Sequence, residues 1–143
     1  MSDIHDAKFQ LEMNGAQAKL IELALEEYFR LRLGQFSDFT DSLAFQGFDY
    51  ENHTDEDFNE RIRHRDAINK EAERLKKAIW PPYGFGIQKS QTEVNIIDIW
   101  HVIRHELYLA AGGDPNSFVV MADTPRREGE YPLPKMRKLE NQE

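Results

Sequence analysis

The chain has 143 residues, no cysteine, and a formal net charge of −8 from 18 basic and 26 acidic side chains. This is the length of one domain, enough to bury an apolar core without cross-links, and the lack of cysteine excludes a disulfide framework and thiol catalysis and fits a reducing, intracellular setting. The acidic balance argues against a broad nucleic-acid surface, which needs basic patches against phosphate, and no run reaches the roughly 18 apolar residues of a membrane span.

In chain order, "MSDIHDAK" lacks the charged-then-apolar layout of a signal peptide. "KFQLEMN" alternates Phe9, Leu11 and Met13 on one side and predicts a short strand. Asn14, with Gln17 three residues later, has the pattern of a capping box. The helix that follows, "AQAKLIELALEEYFRLRLG", is apolar around most of its circumference, so it is expected to be buried on more than one side, within the domain or against a second copy. Gly34 ends or kinks it. "QFSDFTDSLAF" predicts a shorter helix with Phe36, Phe39 and Leu43 inward, and "QGFDYENH" a loop.

Thr54 caps the next helix, with Asp55, Glu56 and Asp57 in the first turn, where acids suit the helix dipole. It runs to about Ile79 with a narrow apolar stripe of Phe58, Ile62, Ile68, Ala72, Leu75 and Ile79, and its "RIRHRD" run reads as a solvated face offset by nearby acids. Pro81 and Pro82 stop it. Ser90 or Thr92 starts a last helix that reaches about Ala111 and is ended by Gly112 and Gly113. "SFVVMAD" is β-branched and apolar and predicts a second short strand that can pair with the first. The proline-bearing tail, residues 124–143, is an extended arm. The expected fold is one α+β domain over residues 1–143: mostly α-helical, three to four helices, a small pair of short β-strands and an extended C-terminal arm.

The last helix holds most of the chemistry. At about 100° per residue, Ile96, Ile99, Trp100, Ile103 and Leu107 form one stripe, while Asp98, His101 and His105 lie together on the far side. Arg104 sits beside Ile97 and Tyr108 in a second, smaller apolar patch, as expected of a helix lining a dimer groove or a ligand pocket. Asp98, His101 and His105 have a spacing that allows three metal ligands on one face, but zinc needs a fourth group and no HExxH occurs, so they are read as a wet face. There is no GxSxG, no P-loop and no GxGxxG. In "PPYGFGIQ", glycines flank Phe85, which serves either as a core anchor or as a stacking platform for a base. On the first helix Arg30 falls on the narrow polar strip and Arg32 on an apolar side. A guanidinium there wants a carboxylate or a phosphate.

The combination of "YFRLRLGQFSDF", "YGFGIQ", "EVNIIDIWHVIRHEL" and "YPLPK" resembles the first class of phage Thoeris anti-defence proteins. The likeness covers roughly residues 16–46 and 80–136 and leaves the middle of the chain out. Members of that class are sponges: they sequester the TIR-derived signal glycocyclic ADP-ribose without cleaving it, in the host bacterial cytoplasm during phage infection. Some assemble as hexamers and hold cyclic di- or trinucleotides, of the kind CBASS immunity uses, at separate sites. The resemblance therefore implies a non-enzymatic nucleotide-binding protein without cofactor or metal, a homodimer or larger homo-oligomer with the signal at the dimer interface, and no nucleic-acid or membrane partner. It implies Phe85 on the base, Asn95 on a base or ribose edge, and Arg104 with Arg30 on the phosphates, whereas the helical wheel favours Arg32 over Arg30. Two other readings are a signal-degrading enzyme using Asp98, His101 and His105, and an inhibitor that binds protein through its acidic surface.

Overall fold

A computed structural model of the chain describes residues 4–79 and 90–140. Its regular elements are α1 (Gly15–Arg32), α2 (Ser37–Ala44), α3 (Asp55–Ile79) and α4 (Gln91–Ala110), with one 3-10 turn at Val120–Ala122. There is no strand among the described residues, so the fold is all-helical and the expected α+β class with a pair of β-strands is corrected. Residues 7–13 have no regular structure, and Phe9 and Leu11 stand in solvent. The β-branched pair Val119 and Val120 leads into the 3-10 turn instead, because α4 takes hold of that segment: Ala122 is buried and the Met121 carbonyl accepts from Nδ1 of His105 at 3.0 Å. A strand needs a neighbour for its backbone groups, and α4 offers side chains rather than a ladder.

The helix ends follow from local bonds. Asn14 accepts from the Gln17 amide at 2.8 Å while Gln17 accepts from the Asn14 amide at 3.0 Å. Thr54 and Asp57 exchange the same pair of bonds at the start of α3, and Ser90 and Glu93 at the start of α4. Gly34 and Gly112, with φ of 76° and 86°, turn the chain out of α1 and α4 in the left-handed region where glycine is favoured. Gly113 follows because a Cβ there would meet the Tyr108 ring at 2.5 Å.

The molecule is two antiparallel helix pairs. At the end of α1, Arg32 meets Glu93 at the start of α4, and Phe29 packs on Trp100 with ring centroids 6.0 Å apart. In the second pair, Thr40 of α2 bonds Asn69 of α3, and Phe45 meets Phe58 at 5.7 Å in an aromatic cluster with Phe48 and Tyr50. Arg61 pins the α2–α3 loop by donating to the carbonyls of Ala44 and Gln46. The buried apolar set is small and centred on α4: Ile96, Ile97, Trp100 and Val102, with Ala18, Ala44 and Ala122. No residue of α3 is buried. The chain exposes 11475 Å², against roughly 7,700 Å² for a compact monomer of this mass. The apolar circumference of α1 is accordingly covered on one side only: Leu20, Leu23 and Tyr28 are exposed.

Candidate functional site

Asn95, Asp98, His101 and Arg104 recur every three residues along α4 and so lie on a single i+3 ridge, inclined to the helix axis by about 45°. The C-terminal arm lies along that ridge in the opposite sense. Gly129 sits over Asn95 and Asp98: a Cβ at Gly129 would be 2.4 Å from Asn95 Oδ1 and 3.1 Å from Asp98 Oδ2. The Asp98 carboxylate accepts from two consecutive backbone amides, Glu128 and Gly129, each at 2.9 Å. Further along, Asp123–Arg126 and Glu128 face His101 and Arg104 across a cleft of about 150 Å³.

Arg104 gives the cleft its character. Its guanidinium carbon lies 5.0 Å from the centroid of the Trp100 ring, a cation–π contact. Its Nε is buried and has no hydrogen-bond partner among the described residues. Asn95 Oδ1 and Trp100 Nε1 share that condition, so three of the four such side-chain atoms in the described residues lie on α4. Buried polar atoms are normally bonded, so the Arg104 Nε beside the cleft marks a place where something else can supply the partner. Arg126 adds a second guanidinium, and Asp123 and Glu128 add carboxylates that can accept from hydroxyls or amines. The mixed lining suits a ligand carrying both an anion and sugar or base edges.

The other expected site residues are placed as follows. Asn95 belongs to the ridge, at the end covered by Gly129 of the arm. Arg30 is engaged on α1 and α2: its Nε and Nη2 donate to Glu26 at 3.2 and 3.0 Å, it pairs with Asp38 at 3.3 Å, and it donates to Gln35. Arg32 donates to the buried carboxylate of Glu93 at 2.8 Å and to the Tyr28 hydroxyl at 3.3 Å. Burial alone would raise the Glu93 pKa, but backbone amide bonds and the Arg32 guanidinium outweigh it and hold the carboxyl below the usual range. Arg32 thus has an acid for its partner. Glu93 lies eleven residues before Arg104 on α4, roughly 16 Å along the axis, so within one chain Arg32 and Arg104 do not converge. Phe85 lies outside the described residues.

Asp98, His101 and His105 are not a wet face. Asp98 is buried beneath the arm, His101 lines the cleft, and His105 donates to Met121. They serve separate partners, and among the described residues no three His, Cys, Asp or Glu side chains are grouped to hold a metal ion. A second, open depression of about 440 Å³ runs along one face of α3 between Asp66 and Lys77. Its lining comes from that helix alone, so it has no opposing wall to enclose a ligand. No described helix is long and apolar enough to cross a membrane.

Sequence reasoning missed Arg126, Gly129 and the paired amides. The available signal was the polar series at 95, 98, 101 and 104, together with a glycine in an otherwise charged arm. Comparison with known proteins finds no matching family model, no similar curated protein and no similar solved structure.

Proposed function

We propose that this protein is a non-catalytic sponge that binds a cyclic ADP-ribose-type nucleotide, glycocyclic ADP-ribose in the first place, and withholds it from its receptor. The observation that supports this most is the Arg104 guanidinium, partly buried against Trp100, with an unsatisfied Nε at the wall of a polar cleft. A planar guanidinium donates well to the oxygens of a phosphate, two at a time. Arg30 and Arg32 support the reading less, since a phosphate would compete there with Glu26 and Asp38 or with Glu93.

The cleft is also too small for the whole ligand. At about 150 Å³ it falls below the roughly 300–1,000 Å³ of a drug-sized pocket. It takes one phosphate with its ribose, and the rest of the nucleotide needs further cover. The exposed side of α1 supports a second copy as that cover, and Phe85 keeps the stacking role implied by the resemblance.

Calorimetric titration with glycocyclic ADP-ribose tests the proposal, followed by denaturing the complex and recovering the ligand. Intact ligand is expected back. Arg104→Ala should weaken binding by about 1.5–3 kcal/mol, the range for hydrogen bonds to charged groups. Arg104→Lys should restore part of it, because an ammonium lacks the two-pronged geometry. Cleaved ligand, or full affinity in Arg104→Ala, overturns the reading.

A further inference from the structure

We infer that the C-terminal arm is the second half of the ligand cleft: Arg126 donates to the same anion as Arg104, and Asp98, by gripping the Glu128 and Gly129 amides, is the positioning residue that keeps Arg126 there. This rests on the anion-binding reading of the α4 cleft. Arg126 and Arg104 both line the cleft, and neither forms an ion pair among the described residues, whereas Arg30, Arg32, Arg63, Arg65 and Arg74 all do.

The register fits. From Asp98 to Arg104 is six residues of helix, about 9 Å. From Gly129 back to Arg126 is three residues of extended chain, at most about 10 Å. An arm fixed at Gly129 and running antiparallel to α4 therefore brings Arg126 level with Arg104. The fixing is strong because one carboxylate, only 4% exposed, takes two amide donors at 2.9 Å. Glycine at 129 makes the close approach easier: a Cβ there would need Asn95 Oδ1, 2.4 Å away, to swing aside and would press on Asp98 Oδ2 at 3.1 Å.

Two consequences follow. Ligand bound between Arg104 and Arg126 ties the arm to α4, so binding and arm docking strengthen each other. Loosening the arm at Asp98 weakens anion binding mainly through the loss of Arg126, the one cation that the arm brings to the cleft.

The test uses the full-length protein and two probes, glycocyclic ADP-ribose and inorganic pyrophosphate. Arg126→Ala should bind about 10- to 100-fold more weakly than wild type with an unchanged melting temperature, and Arg126→Lys should recover part of the loss. Asp98→Asn should lose a similar factor, but in the double variant Asp98→Asn should add little to Arg126→Ala. Trypsin cleavage at Arg126 and Arg127 should slow when ligand saturates the wild type, measured against cleavage at Lys76 and Lys77 in α3, and should be fast in Asp98→Asn. Full affinity in Arg126→Ala while Arg104→Ala fails overturns the role of the arm and leaves the proposed function standing. Pyrophosphate binding that depends on both arginines, without nucleotide binding, supports the two-part cleft and removes the nucleotide. Additive losses in the double variant overturn the positioning role of Asp98, and no binding of either probe by the wild type overturns both readings.

Discussion

Helices α3 and α4 are close in length, 25 and 20 residues, yet they are stabilised in different ways. Of the residues in α4, Glu93, Ile96, Ile97, Asp98, Trp100 and Val102 are buried, while α3 buries none. Helix α3 has its acids in the first turn and lysines in the last, a capping exchange between Thr54 and Asp57, and a seam of half-exposed side chains on α2. Each of those terms is worth a fraction of a kcal/mol to about 1 kcal/mol, and none depends strongly on another. Helix α4 concentrates its stability in a few buried groups whose partners come from α1 and the arm. Such a helix holds polar atoms in fixed places, which is why the candidate site lies there and not on the longer, more charged helix.

The largest contrast should come from the cores of the two pairs. Trp100→Ala removes the ring that packs on Phe29 and carries Arg104, and should cost about 3–5 kcal/mol. Ile68→Ala, on the half-exposed seam of α3, should cost about 1 kcal/mol or less. Denaturant unfolding of the two variants measures the gap, and equal losses would erase the distinction drawn between the helices.

A smaller contrast lies between two glycines. Gly129→Ala makes Asn95 Oδ1 swing aside and presses on Asp98 Oδ2, and should cost about 1 kcal/mol, with reduced hydrogen-exchange protection at the amides of 128 and 129. Gly15→Ala, in the first turn of α1 with nothing near its added carbon, should be neutral or stabilise by up to about 1 kcal/mol.

The smallest contrast is in pH. The Glu93 carboxyl is held below the usual range, so its contribution is fully present above the ordinary glutamate pKa of about 4.3 and fades as pH falls through the lower, folded value. Glu27 is shifted upward, by burial first and then by Asp38 and Glu26, so it favours the folded state below the ordinary pKa and loses that advantage as pH rises through its raised value. At pH 7, Glu93→Gln should therefore destabilise and Glu27→Gln should stabilise. The first effect should be under about 1 kcal/mol, since Arg32 is a third exposed. Both differences should shrink on acidification. Stability curves from pH 3 to 7 check the signs, and a stabilising Glu93→Gln would contradict the pairing with Arg32.

The helix starts were legible in the sequence because caps are local: Asn14 with Gln17 and Thr54 ahead of its acids read directly, while Ser90 and Thr92 stand as alternatives until the bond between Ser90 and Glu93 decides for Ser90. The strands were misjudged because alternation at Phe9, Leu11 and Met13 shows a period, not a partner. The acid for Arg32 stands 61 positions away, beyond any local pattern. The ridge on α4 was hidden by the wheel itself. Nine residues at about 100° put Asn95 and Arg104 half a turn apart, so a row of polar groups under an oblique arm projects as scattered sides. Asp98 reads from the sequence as part of a wet face, because what covers that side is the arm, which sequence periodicity does not describe.

The pairing of Arg32 with Glu93 also sets a schedule. During synthesis α1 leaves the ribosome 61 residues before the acid that receives its last arginine. At about 5–20 residues per second that is a wait of roughly 3–12 s, during which α2 and α3 can already close on each other through near neighbours. The oldest helix in the chain is thus the one that settles late, and for those seconds its apolar sides are the surface that a chaperone would meet.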